Sequence, residues 1–332
     1  MKNITLLVLE ESTLTGITAV MDIFQLAGVR LDETADLNNS PLFNIELVST
    51  DGKPVHFSNS ITITPHKSIN EVESTDLIII PSSGYKSGVI RNHSARLSDW
   101  LKYHGQKGTL MAGICTGVFL LAEAGLLDNK LATTHWAFAS WFKEKYPDVI
   151  FRPEKLITED KQFFCSGGGS AGFDLCLFII EKFYNADTAN QCAKLLLIER
   201  GRDMQTPYEV LRFKKQHQDL DILKAQNRIE DSYAENIVID NLASHVGMSI
   251  RNFKRRFKLA TGDTPIVYAQ KLRVEAAKKA LEFETNRIDD IASSVGYDDV
   301  GFFRKLFIRH TGISPTDYRQ KYNHKMKRRA FS

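Results

Sequence analysis

A cysteine set between two glycines at a strand-to-helix junction is the segment of this chain best suited to covalent chemistry. In Gly108-Thr-Leu-Met-Ala-Gly-Ile-Cys-Thr-Gly117 an apolar run enters Gly-x-Cys-x-Gly and continues into an apolar helix. A residue at such a turn sits in a tight bend that needs small neighbours, and a helix N-terminus beneath it favours a thiolate. Cys115 is the only one of the four cysteines so placed. His135, in Thr-Thr-His-Trp136, lies 20 residues downstream and can approach it after one helix and a turn. Two readings stand side by side: a thiol activated by an imidazole, or a small buried cysteine filling a tight corner, since free cysteines are often buried.

The second motif is a repeat. Leu242, Ala243, Val246 and Gly247 recur 49 residues later as Ile291, Ala292, Val295 and Gly296. After that glycine the offset becomes 50, where Phe253, Arg255, Phe257, Thr261, Gly262, Pro265 and Tyr268 recur as Phe303, Lys305, Phe307, Thr311, Gly312, Pro315 and Tyr318. Each copy reads as a short helix, a turn opened by glycine, and a second helix whose aromatic pair at i and i+4 faces inward. This is the pattern of a helix-turn-helix.

With Phe253 and Phe257 inward, the opposite face of the first copy carries Arg251, Lys254, Arg255 and Lys258. Such a face can make bidentate contacts to guanine and charge-assisted contacts to phosphate. The second copy offers Arg304, Lys305 and Arg309, with Asp298 and Asp299 assigned to capping its helix start. A single basic helical face is as often a plain solvated surface. Two copies of one apolar frame, both ending in Thr-Gly-x-x-Pro-x-x-Tyr, favour a reader of DNA.

The surrounding chain must position these motifs. At 332 residues it is too long for one ordinary core, and two domains are expected. The net charge of +3 is unevenly spread: residues 222–332 hold 21 Lys and Arg against 13 Asp and Glu, and the remainder holds 22 against 27. A basic C-terminal part on an acidic N-terminal one points to double-stranded DNA as the partner of the former. The cysteines lie at no zinc-finger spacing, and neither a metal nor a cofactor is expected. The start MKNITLLVLE is too short an apolar run for a signal peptide, and no stretch approaches the roughly 20 apolar residues of a membrane span. The expectation is a cytoplasmic protein that binds no membrane.

The N-terminal part alternates β-rich runs with helical ones: Ile4–Leu9, Ile17–Ala27, Phe43–Ser49, Leu77–Ile80, Thr109–Ile114 and Gly117–Ala124. That alternation predicts an α/β domain, a mostly parallel sheet flanked by helices in the flavodoxin-like manner. The C-terminal part is expected to be all-α with two helix-turn-helix units. The boundaries read as 1–190 for the α/β sensor domain, 191–227 for a connection, 228–325 for the DNA-binding domain and 326–332 for a basic tail.

The repeat resembles the AraC/XylS family of transcription regulators. The resemblance is carried by Leu242-Ala-Ser-His-Val-Gly-Met-Ser-Ile-Arg-Asn-Phe-Lys-Arg-Arg-Phe257 with Thr261-Gly262-Asp-Thr-Pro265, and by Ile291-Ala-Ser-Ser-Val-Gly-Tyr297 with Phe303-Arg-Lys-Leu-Phe307 and Gly312-Ile-Ser-Pro-Thr-Asp-Tyr-Arg319. It implies one long helix joining the units, here Ile266–Glu282, with Leu272, Ala276 and Ala280 inward. The DNA-facing set is then Ile250, Arg251, Lys254, Arg255 and Lys258 in the first unit, and Val300, Gly301, Arg304, Lys305 and Arg309 in the second. Val300 and Gly301 have no hydrogen-bonding side chain, so the second unit is expected to act mainly as a phosphate clamp. The basic end Lys325-Met-Lys-Arg-Arg329 reads either as further phosphate contacts or as a solubilising tail.

The segments Gly113-Ile-Cys-Thr-Gly-Val-Phe-Leu-Leu-Ala-Glu-Ala-Gly-Leu-Leu127, Ala132-Thr-Thr-His-Trp136 and Ser166-Gly-Gly-Gly-Ser-Ala-Gly-Phe-Asp174 resemble the PfpI-like, class I glutamine amidotransferase-like domain. Joined to the C-terminal module, the chain is similar to the GlxA-type regulators. Enzymes of the PfpI-like superfamily pair the elbow cysteine with a carboxylate near the first strand-to-helix loop, and the resemblance places Gly16 where that acid is expected. The usual Pro-Gly-Gly after the buried strand is altered to Pro81-Ser82-Ser83-Gly84. Glu10 and Glu11 stand nearby in sequence with no special claim to the role. The expectation is a DNA-binding regulator, not an enzyme, that binds a small molecule around Gly16, Ser83, Gly84, Cys115, Thr116 and His135, with Cys115 and His135 vestigial. The resemblance implies an amino-acid-derived or quaternary ammonium effector and a homodimer. The alternatives are a cysteine-dependent hydrolase or hydratase and a cysteine-based redox sensor.

Overall fold

The computed structural model describes residues 1–10, 12–31, 37–39, 41–57, 60–83, 89–210, 213, 215 and 217–323. The chain divides into two compact units, 1–205 and 206–332. Gly84, Glu11 and the basic end from residue 324 lie outside the described residues.

The first unit is built on a seven-stranded sheet: β1 Lys2–Leu7, β2 Phe43–Ser49, β3 Lys67–Ser68, β4 Leu77–Ile80, β5 Leu110–Ile114, β6 Ile157–Asp160 and β7 Phe163–Ser166. Their order is β6-β7-β5-β4-β1-β2-β3. Every pairing is parallel except β6 with β7, an antiparallel hairpin at one edge. The helices of this unit are α1 Leu14–Leu26, α2 Val89–Gln106, α3 Gly117–Glu123, α4 Ala139–Lys145, α5 Ala171–Phe183 and α6 Ala186–Leu195.

Both faces of the sheet are covered, which explains the apolar runs. All four residues of β4 are buried, because a parallel strand between two helical layers has no wet face. Alternate residues enter opposite cores. Ile4, Leu6, Leu77, Ile79, Ala112 and Ile114 pack with α1, α5 and α6, whereas Leu7, Ile78, Ile80 and Met111 pack with α2, α3 and α4. The chain runs from β1 to β2 on one side and later to β4 and β5 on the other. The strand order therefore reverses between β1 and β4, the position at which sheets of this kind commonly bind ligands beyond the carboxyl ends of their strands.

The second unit is helical: α7 Leu220–Asp231, α8 Ile239–His245, α9 Ile250–Thr261, α10 Pro265–Phe283, α11 Ile288–Ser294, α12 Val300–Thr311 and α13 Pro315–Tyr322. The sequence repeat becomes a structural one. Phe253 and Phe257 are fully buried with ring centroids 5.6 Å apart, and Phe303 and Phe307 repeat this at 5.8 Å. Tyr268 stands edge-on to Phe257 and Tyr318 edge-on to Phe307, at 5.4 and 5.5 Å. Their hydroxyls donate to Glu230 and Glu282 respectively, each at 2.6 Å, so both tyrosines bury their rings without stranding a polar end.

Helix α10 differs in detail from its sequence expectation. Leu272, Ala276 and Ala280 do pack against the two cores but are half-buried and also line a groove of about 860 Å³, whereas Tyr268, Val274, Ala277 and Leu281 are enclosed. The reason is that α10 serves two cores: Tyr268 and Ala269 belong to the first, Val274, Ala277 and Leu281 to the second. A helix shared in this way buries residues around more of its circumference than a single inward stripe allows.

Candidate functional site

The loops at the switch point are tied to each other. Thr13 N–H donates to the Ser82 carbonyl at 2.8 Å, and Ser12 bridges Ser83. Gly16 lies in the first turn of α1, and a Cβ there would stand 2.8 Å from Thr13 Oγ1 and 3.7 Å from Ser82 N. A side chain at this position would start from the wall that Ser82 completes. Ser82 Oγ is 3.2 Å from Thr116 Oγ1, and the Thr116 hydroxyl donates to the Ser83 carbonyl. Ser83 Oγ is buried and, among the described residues, has no hydrogen-bond partner. Gly16, Ser83 and Thr116 thus share one hydroxyl-lined wall.

Cys115 follows β5 directly and has φ of +56°, a left-handed conformation that L-residues adopt only when the surroundings impose it. Its N–H donates to Ser166 O at 3.1 Å, and its carbonyl accepts the Thr134 hydroxyl at 2.6 Å. Neighbours on β7 and on the 133–136 segment therefore hold the elbow from both sides. Cys115 is 6% exposed. Burial pushes it above the ordinary value of 9.0, and hydrogen bonds from Ser82 and Thr116 only partly oppose this. The expected thiolate-favouring helix end is thus outweighed by desolvation.

His135 caps the turn after Thr134, its Nδ1 accepting the Ala137 N–H at 3.0 Å, so in the neutral ring the proton resides on Nε2. Burial holds its pKa below 6.5. His135 and Cys115 do come together, but around a third residue. A Cβ on Gly168 would lie 2.3 Å from His135 Cδ2 and 2.8 Å from Cys115 Sγ. Only a glycine fits there, which gives Ser166-Gly-Gly-Gly-Ser170 a physical purpose that spacing did not reveal. No hydrogen bond joins Cys115 to His135, and each bonds elsewhere.

The second candidate surface is on the helix-turn-helix pair. Ser249 caps α9 and Asp299 caps α12, each accepting from the N–H three residues on, at 3.4 and 3.0 Å. Asp299 is therefore engaged as expected. Arg251, Lys254, Arg255 and Lys258 are exposed opposite the phenylalanine pair, and Ile250 is 42% exposed at the helix start. Arg256, in the same basic run, turns back to Asp219 at 2.6 Å and to Asp221 at 3.3 Å. On α12, Gly301, Arg304, Lys305 and Arg309 are exposed and Val300 is half-buried. Arg304 is shared with Asp289 at 3.3 Å, and Arg255 rests on Asn252 at 3.0 Å. Among the described residues, no ion pair engages Arg251, Lys254, Lys258, Lys305 or Arg309.

One residue that sequence reasoning missed sets the geometry between the two readers. Arg273 of α10 donates Nε to Tyr233 O, Nη1 to Gly296 O and Nη2 to Glu235 O, at 2.7, 2.8 and 2.7 Å. Its guanidinium also lies 4.8 Å from the Tyr297 ring centroid. The fork thus binds the segment before α8 to the turn before α12.

The pattern of the DJ-1/PfpI family matches residues 2–182, and that of a helix-turn-helix domain matches 242–321. The HTH-type transcriptional regulator GbdR of Pseudomonas aeruginosa is 26% identical over 96% of this chain and 84% of its own length. Isonitrile hydratase of Pseudomonas putida is 29% identical over 46% of this chain and 65% of its own. The crystal structure of an AraC family transcriptional regulator from Pseudomonas putida covers 59% of this chain and 100% of its own, with a TM-score of 0.50 at 18% identity.

Proposed function

We propose that this chain, which belongs to the DJ-1/PfpI family and carries an AraC-type helix-turn-helix module after that domain, is a regulator whose DNA binding answers to a small molecule held near Cys115. It is a DNA-binding transcriptional regulator in build.

The observation that carries the sensing role is the combination at the elbow. The frame of a nucleophile site is kept, with a strained Cys115 beside His135. The position facing Ser82 is Gly16, which has no group to exchange a proton, and burial keeps the thiol protonated. Ser83 Oγ, buried and without a partner among the described residues, supplies a polar group for a ligand to meet. Amino-acid-derived and quaternary ammonium metabolites are the ligand classes to try first.

The deciding experiment is a thermal-shift titration of the full chain with a panel of such metabolites. A ligand at 100 times its Kd adds about 2.7 kcal/mol to the native state. Stabilisation that is lost on filling the space with Gly168→Ala supports the site, and a panel without any stabilising compound counts against it.

For DNA, we place Arg251, Lys254 and Arg255 on base edges, with Lys258, Lys305 and Arg309 on phosphates, and the two readers about one duplex turn, roughly 34 Å, apart. A duplex selected from a random-sequence library by the full chain supplies the target. We place the active species as a symmetric homodimer, checked by light scattering of the purified chain.

The competing reading, cysteine-dependent hydration or hydrolysis, draws on the isonitrile hydratase relative and on the strained elbow. It needs a thiolate that the burial of Cys115 opposes.

A further inference from the structure

We infer that Gln205 is the positioning residue that couples the Cys115 and His135 site to the second unit. This deepens, and rests on, the sensing reading above. Beyond α6 the chain returns to the site instead of leaving from the helix end. Arg202 donates Nη1 to Ser170 Oγ at 3.1 Å and Nη2 to Ser170 O at 3.2 Å, and it pairs with the buried Asp174 in the first turn of α5. Leu156 N–H donates to Asp203 O at 2.9 Å, Met204 bridges Lys155, and Gln205 N–H donates to Glu154 O at 3.0 Å.

Gln205 is the last residue of the first unit and is 3% exposed. Both ends of its amide reach the segment that carries His135, and the donor end also ties that segment to the 153–155 turn. Nε2 donates to Thr134 O at 2.7 Å and is shared with Thr133 Oγ1, Pro153 O and Lys155 O. Oε1 accepts the Trp136 N–H at 3.0 Å. His135 is therefore flanked in sequence by two residues bonded to one side chain. Thr134 also holds the Cys115 carbonyl, and a Cβ on Gly167 would lie 2.9 Å from Gln205 Oε1.

A ligand that displaces His135 or the glycine turn must either break these bonds in a dry place or take Gln205 along. Leaving a buried donor or acceptor unmet is the costlier course, so the amide follows. The residue bonded to it through the main chain is Thr206, where the second unit begins. Occupancy of the site is thereby delivered to the connector as a displacement of its first residue.

The test is a double-mutant cycle on the full chain, read as Kd for the duplex that the wild type selects, at fixed salt. Gly168→Ala acts as a built-in occupant, because its methyl takes the space shared by His135 and Cys115. Gln205→Ala and Gln205→Met cut the amide, the second with little loss of volume. The coupling predicts that Gly168→Ala shifts Kd by about fivefold or more with Gln205 present and by less than about twofold in both Gln205 variants. Equal shifts in all backgrounds overturn the role of Gln205 and leave sensing intact. A Kd unmoved by Gly168→Ala, while amide exchange in 133–136 changes, overturns sensing itself and the coupling with it. Should the Gln205 variants unfold, exchange at 203–206 in Gly168→Ala decides: faster exchange supports the coupling, and unchanged exchange overturns it.

Discussion

Gly296, in the turn that opens α12, lies against the backbone of Ala234, so that a Cβ on it would stand 2.2 Å from the Ala234 carbonyl oxygen. The turn of the second reader is thus seated on the segment that leads into the first. No such contact exists at the matching Gly247, where a Cβ would meet nothing within 4 Å. Two glycines equivalent in sequence therefore have different duties.

That difference can be measured. Both have positive φ, +65° at Gly247 and +89° at Gly296. Gly247→Ala should cost about 1 kcal/mol from backbone strain alone. Gly296→Ala adds a clash with main chain and should cost about 3 kcal/mol or more. Thermal unfolding of the second unit compares them, and equal losses would show that the Ala234 contact carries no weight.

Arg273 is the companion device. Arg273→Met keeps much of the stem and deletes a charge-assisted fork, which should destabilise the second unit by about 1.5–3 kcal/mol. On DNA, footprinting should show one of two adjacent protected stretches fading while the other persists. Uniform weakening of both would mean that Arg273 merely supports the fold.

On the reading helices, Arg255→Ala or Arg251→Ala should cost about 1–3 kcal/mol and relax preference at one base pair. Lys258→Ala should weaken all sequences alike and lower the slope of log K against log salt by about 1. Binding to the selected duplex and to point-changed duplexes separates the two behaviours.

Acid should destabilise the first unit through His104. Its ring is fully buried against Trp100 and Tyr103, with centroids at 4.7 and 5.2 Å, and the Val72 backbone is a polar neighbour that only partly offsets the cost of burying it. Burial, helped by the Lys107 charge, depresses its pKa below 6.5. The unfolded chain therefore binds the proton first. Stability is fully present above pH 6.5 and drains as pH falls below it, toward the folded pKa. The melting temperature of His104→Leu should depend less on pH than that of the wild type between about 7.5 and 5, which spans the histidine range.

Cys115 should react slowly with iodoacetamide at neutral pH, because burial keeps it a thiol. Mass spectrometry of the labelled peptide gives the rate. A rate faster than that of a free thiol would favour covalent chemistry at the elbow, and peroxide sensitivity removed by Cys115→Ser would favour redox sensing.

Much of this was readable in advance wherever a pattern repeats or alternates. The run Asp76-Leu-Ile-Ile-Ile-Pro81 marks a strand covered on both faces, and β4 is enclosed throughout. The offset of 49 and then 50 residues marks both helix-turn-helix units, down to paired Phe-Tyr contacts. What stayed hidden depends on tertiary meetings of residues far apart in sequence. Gln205 acts on Thr134 and Trp136, some 70 residues away, and nothing in its neighbours marks it. Gly168 is one glycine among three until Cys115 and His135 arrive on either side. Helical facing already set Arg256 apart from Arg255, but its partner Asp219, 37 residues away, is a tertiary meeting that no local pattern marks.

The 19 residues of α10 form one uninterrupted helix, about 28 Å long at 1.5 Å per residue. Such a strut sets a fixed stride. On the proposed reading, about five base pairs inserted between the two contacted segments would turn the second to the far side of the duplex, and a single unbroken helix offers no hinge with which to follow it.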